Sequence, residues 1–137
     1  MMIVLLIVAV AFLLVVGVGS TVQEDARARE TRHTQAVLLA ALEAYHGAQH
    51  AYPPVAEAEA DSSVALLRAL RNEPACRQVL QRLPHEAVDE ETGRSRLLDA
   101  FASPILYEPA GGLGGKKPRL TSKGHDPADP TDDIVSE

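Results

Sequence analysis

Three aspartates near the end of the chain, Asp126, Asp132 and Asp133, are the side chains best suited to chemistry, and that chemistry is the binding of a hard cation. Ca²⁺ takes roughly six to eight oxygen ligands, from carboxylates and backbone carbonyls. A loop that brings the three carboxylates together with main-chain oxygens near Leu120 and Ser122 can supply them. Composition alone favours a plainer reading. Residues 123–137, KGHDPADPTDDIVSE, are rich in Asp and Pro and have no apolar period, so they form a solvated acidic loop unless something orders them.

Other constellations are weaker. His46 and His50 stand four residues apart with Glu43 one turn earlier, a spacing two metal-binding imidazoles can use on a helix, but two ligands do not make a site and polar helix surface is the preferred reading. Ser62-Ser63 has no Gly-x-Ser-x-Gly elbow around it. Gly111–Gly115 followed by Lys116-Lys117 lacks the residue order of a phosphate-binding loop. Cys76 is the only cysteine, which rules out an internal disulfide and makes it a small buried hydrophobe. Catalysis finds no support, and the chain is read as a non-enzyme.

The elements that would position the acidic loop begin with residues 1–19, MMIVLLIVAVAFLLVVGVG, which carry no charged or hydrogen-bonding polar side chain. At about 1.5 Å of rise per residue the run is roughly 28 Å long, close to the ~30 Å hydrocarbon core of a bilayer. Only a helix suits a lone segment there, because each backbone polar group must find its partner within the segment. A cleaved signal peptide would need a basic start and a shorter apolar core. Gly17-Val18-Gly19 offers small residues for a cut, but no Lys or Arg precedes Arg27, so an uncleaved transmembrane anchor is expected. All 13 Lys and Arg and all 19 Asp and Glu lie beyond it, giving residues 20–137 a formal charge of −6. That balance argues against nucleic acid as a partner. These residues are enough for one small domain.

No helix breaker follows the anchor before Pro53, so the span is expected to run on as an amphipathic helix over 20–52, with Val37, Leu38, Ala41, Leu42, Tyr45 and Ala48 as its apolar stripe and Arg29, Arg32, Gln35 and Glu43 largely elsewhere. Short helices are expected over 61–84. Asp61-Ser62-Ser63 would cap Val64–Arg71, burying Val64, Leu66, Leu67 and Leu70, and Pro74 would start Ala75–Leu83, with Cys76, Val79, Leu80 and Leu83 inward. Residues 85–96 read as charged and irregular. A β region over 97–122 follows, in which Pro104–Glu108 and Pro118–Ser122 form an antiparallel hairpin around the glycine-rich turn. The fold class is α+β, ending in the acidic loop over 123–137.

The order of these features resembles the pseudopilins of type II secretion, the major pseudopilin above all. The features are the apolar helix closing on Tyr45-x6-Tyr52-Pro53-Pro54, then Leu98-Asp99, Ser103-Pro104-Ile105-Leu106-Tyr107, Ser122-Lys123-Gly124-His125-Asp126, and Asp132-Asp133-Ile134. The likeness covers almost the whole chain. It departs at Met1–Leu5, which lie over the family's Phe-Thr-Leu-Ile-Glu without the basic leader and with Leu5 at the glutamate position. Ala100-Phe101-Ala102 replaces Pro-Trp-Gly, and Pro127 replaces the glycine after the first loop aspartate.

The resemblance implies a pilin-like fold and a structural subunit of a pseudopilus-type assembly that assists protein export. Its partners would be other pseudopilin subunits and inner-membrane components of the secretion system, met through the N-terminal helix. It also implies Ca²⁺ in the loop of Asp126, Asp132 and Asp133. It places the chain in the inner membrane as a single-pass protein with its C-terminal domain in the periplasm. Arg27, Arg29 and Arg32 alone would favour a cytoplasmic domain, but they lie beyond the span and have acidic partners at helical spacing, such as Asp25 with Arg29. The alternative is a monomeric, membrane-tethered accessory or binding protein of the envelope that has a pilin-like fold and forms no filament.

Overall fold

The computed structural model describes residues 2–55, 61–90 and 95–136, with side chains from Val22 onward except Leu113. Helix α1 runs Met2–Gln49 and leaves through His50, whose positive φ of 58° turns the chain out ahead of Pro53. Helix α2, Ser62–Asn72, is capped by the Asp61 carboxylate, which accepts from the Ser63 N–H at 3.0 Å. A 3₁₀ turn, Pro74–Cys76, leads into α3, Arg77–Leu80, and a second turn covers His85–Ala87.

Two small antiparallel sheets complete the fold. In the first, β1, Val88–Asp89, pairs with β2, Arg96–Leu97, with Asp89 opposite Arg96 and their side chains 2.8 Å apart. In the second, β3 (Leu106–Glu108), β4 (Arg119–Ser122) and β5 (Ile134–Ser136) lie in that order. Leu120, which pairs with Tyr107 on one side and Ser136 on the other, points inward.

The core forms where these elements meet. Leu38, Ala41 and Leu42 of α1 pack with Leu66, Leu67 and Leu70 of α2, and Cys76, Leu97, Ile105, Tyr107 and Leu120 close the cluster. Burying aliphatic side chains of this size contributes about 1.5–3 kcal/mol each. The expected helices and the β3–β4 hairpin are present, with corrections. Val64 is only half-buried, whereas Ser63 and Ala65 are buried. Ala48 is exposed. The helix expected over Ala75–Leu83 is broken into a 3₁₀ turn and one α-turn.

Residues 85–96 contribute a sheet rather than irregular chain, and the acidic loop over 123–137 ends in a strand. Gln35, placed outside the buried stripe by its polarity, is fully buried. Among the described residues no helix is long and apolar enough to cross a membrane. The anchor expected over 1–19 falls on residues whose side chains lie outside the described set.

Candidate functional site

The polar end of the domain is built on α1, one turn before the apolar stripe. Thr31, Thr34 and Gln35 continue that face toward the N-terminus and are buried. Gln35 holds the C-terminal strand: its Nε2 donates to Ile134 O at 2.8 Å, and its Oε1 accepts from Ser136 Oγ at 2.8 Å. Thr31 Oγ1 accepts from the Ala100 N–H at 3.2 Å. A buried amide with both ends bonded fixes its partners, because releasing either would strand a polar group away from water.

The turn that Thr31 contacts is organised by Asp99, which is 4% exposed. Its Oδ1 accepts from the Phe101 and Ser103 N–H groups at 2.9 and 2.8 Å, and its Oδ2 accepts from the Ser122 hydroxyl. Ser122 Oγ in turn accepts from the Gly124 N–H at 3.3 Å. Asp99 thus ties α1's neighbour turn to the end of β4, where the acidic loop begins. Phe101 stands edge-on to His125 with centroids 6.1 Å apart, and His125 Nε2 lies 4.0 Å from Glu24 on α1.

In the loop itself, Asp126 Oδ1 accepts from the Ala128 N–H at 3.0 Å, and the Asp126 N–H donates to Asp132 Oδ2 at 2.8 Å. Asp129 Oδ1 accepts from both the N–H and the hydroxyl of Thr131, bonds that hold its carboxyl below the usual carboxylate range. Asp133 Oδ2 pairs with Lys123 Nζ at 3.2 Å. Asp132 Oδ1 and Asp133 Oδ1 are both buried and accept no hydrogen bond. Gly124, at φ 63°, lets this chain close over it: a Cβ there would collide with Asp132 O and stand 2.9 Å from Asp132 Oδ1.

Two of the three expected ligands, Asp132 and Asp133, therefore present buried oxygens without donors, while Asp126 is joined to Asp132 through its backbone N–H. Among the described residues no three His, Cys, Asp or Glu side chains group as a metal centre, so any cation here would depend on main-chain oxygens for the rest of its shell. His46 and His50 are exposed, and His46 stacks on Tyr52 with centroids 4.7 Å apart. Ser62 and Ser63 are structural: their hydroxyls accept from the N–H groups of Tyr107 and Leu97. Cys76 Sγ lies 3.2 Å from Ala41 O, and burial, with Glu73 adding, pushes its thiol pKa up.

No protein-family model, curated protein or solved structure matches the chain. What the loop can do follows from its own geometry. Sequence reasoning missed the roles of Gln35 and Thr31 in holding it. Their signal was spacing: Thr31, Gln35 and Leu38 lie at i, i+4 and i+7 on one face.

Proposed function

We propose that the chain is a pilin-like structural subunit of a type II secretion, pseudopilus-type envelope assembly that assists protein export. Residues 1–19 would anchor it in the inner membrane, and 20–137 would project into the periplasm. The observation that supports this reading is the division of α1. It is one continuous helix of 48 residues, yet the described side chains become buried only from Thr31 onward. A domain folded on one end of a helix leaves the other end available for lipid and for neighbouring helices. Its partners would be other subunits and inner-membrane components met through that segment.

Ca²⁺ fits the loop as part of this reading. The fit rests on the donor-free oxygens of Asp132 and Asp133 and on the close approach over Gly124. Asp132 and Asp133 would hold the ion, with main-chain oxygens near Leu120 and Ser122 completing the shell, while Asp126, expected as a third ligand, is turned onto the Ala128 N–H. Bound there, it would offset the repulsion between adjacent carboxylates and fix the β4–β5 connection.

The test is fractionation and cross-linking of the full chain in membranes. Retention through carbonate washing, with disulfide-linked dimers from Ala9→Cys, is the expected outcome. Recovery in the soluble fraction contradicts the anchor. Retention without cross-links leaves the monomeric tethered protein as the function.

A further inference from the structure

The acidic loop carries a cation of its own. Lys123 is the only Lys or Arg between Arg119 and the end of the chain, a stretch with four aspartates and one glutamate. Its Nζ lies 3.2 Å from Asp133 Oδ2. The sheet places the two residues together. Ser122 pairs with Ile134 in the β4–β5 ladder and both point inward, so Lys123 and Asp133 stand opposite each other one step beyond.

The backbone of Lys123 is held on both sides. Ser122 Oγ donates to Asp99 and accepts from the Gly124 N–H at 3.3 Å, and Gly124 is buried against Asp132. Lys123 therefore issues from an ordered turn and reaches one carboxylate. Lys116 and Lys117, at the other end of the β3–β4 hairpin, are exposed.

The pairing divides Asp133. Oδ2 carries the ammonium, while Oδ1 is buried and accepts no hydrogen bond. Asp132 is divided likewise, with Oδ2 accepting from the Asp126 N–H and Oδ1 left without a donor. The other two aspartates are satisfied by the chain itself, Asp126 by the Ala128 N–H and Asp129 by Thr131. A cation drawn to the donor-free oxygens thus meets one carboxylate that already holds a positive charge. Repulsion between like charges a few ångströms apart changes an equilibrium constant about tenfold or more.

We infer that Lys123 is the resident counter-ion of the Asp132–Asp133 site and sets the calcium concentration at which the loop loads. The inference rests on the calcium reading above and names what regulates that site. In the calcium-free chain the ammonium holds Asp133 and so steadies the β4–β5 connection. On loading it gives up Asp133 Oδ2 and turns to solvent, to which its side chain is already 40% exposed. Exchanging one cation for another lowers the net gain from binding. Two carboxylates, one of them shared, put the loop among the weak sites that load at about 10⁻⁴–10⁻³ M calcium, as extracellular modules do. Such a threshold keeps the loop calcium-free where the ion is scarce and fills it where the ion is abundant.

The experiment is isothermal titration calorimetry of calcium into the full chain in detergent, with melting temperatures in chelator alongside. Lys123→Met should tighten the Kd about tenfold or more, and should lower rather than raise the melting temperature in chelator, because Asp133 loses its partner. An ion pair with a structural role alone gives the second change without the first. Lys123→Arg keeps the charge and should keep the Kd close to that of the unmutated chain. Lys117→Met removes a charge from the far end of the hairpin and should leave the Kd within about twofold. Equal affinity in the unmutated chain and Lys123→Met overturns the inference and leaves the calcium site standing, as does a Lys117→Met change as large as that of Lys123→Met. No binding by any of the four chains removes the inference together with the site it rests on.

Discussion

Asp99 and the Asp132–Asp133 pair meet the same end of β4 and differ in how their oxygens are satisfied. Asp99 is almost fully buried and accepts three hydrogen bonds, two from backbone N–H groups and one from Ser122. Asp132 and Asp133 each turn one oxygen into the protein where no donor reaches it. A buried carboxylate surrounded by donors is a structural hub that needs nothing else. A buried carboxylate oxygen without donors costs free energy until a cation or proton arrives. The difference separates a carboxylate satisfied within the fold from two that the fold leaves with an unpartnered oxygen each.

The largest effect should come from the satisfied carboxylate. Asp99→Ala strands the Phe101 and Ser103 N–H groups and the Ser122 hydroxyl, and should cost about 3–5 kcal/mol in chemical denaturation, whether or not calcium is present. A loss that calcium repairs would break the contrast between the two regions. Gly124→Ala comes next. It forces a Cβ against Asp132 at positive φ, and should cost about 2–3 kcal/mol while also abolishing any response to calcium.

Gln35→Ala removes the amide that holds β5, leaving Ile134 O and Ser136 Oγ without their partner. It should cost about 1–3 kcal/mol, and amide exchange should rise in β5 before it rises in α2.

The smallest effect concerns the apolar end, where Tyr107 donates to Pro53 O at 2.9 Å. Burial, with Tyr52 and then Tyr45 adding, raises its pKa. The folded state therefore holds the phenolic proton more tightly than the unfolded chain, and the stability this contributes is complete below the ordinary value near 10 and lost as pH rises above it. Tyr107→Phe should cost about 1 kcal/mol at neutral pH and flatten the fall of melting temperature in alkaline buffer. A parallel fall in both proteins would place that sensitivity elsewhere.

What the sequence revealed follows from the range of each signal. Helix α2 and the end of α1 were legible because Leu38, Ala41, Leu42, Leu66, Leu67 and Leu70 repeat at helical spacing, and because Asp61 and Pro53 punctuate the chain. Strands β1, β2 and β5 were not, since two or three residues carry no period. Gln35 was misplaced because its burial is decided by Ile134, ninety-nine residues away, and no local pattern encodes such a partner. In the loop, the acidic composition marked Asp126, Asp132 and Asp133 together. Only the fold separates them, turning Asp126 onto Ala128 and leaving Asp132 and Asp133 with the buried, donor-free oxygens.

The contrast between the two acidic regions is tested most directly by thermal melts of the full chain in detergent, in millimolar calcium and in chelator. An ion that binds only the native form stabilises it by about 2.7 kcal/mol at a hundredfold excess over Kd, which is several degrees in a domain of this size. The unmutated chain should melt higher in calcium. Asp132→Asn should remove that increment while changing the chelated melting temperature little, because replacing one oxygen also relieves the repulsion between the neighbouring carboxylates. Coincident curves for the unmutated chain would contradict the account and make the loop of Asp126, Asp132 and Asp133 a solvated acidic turn.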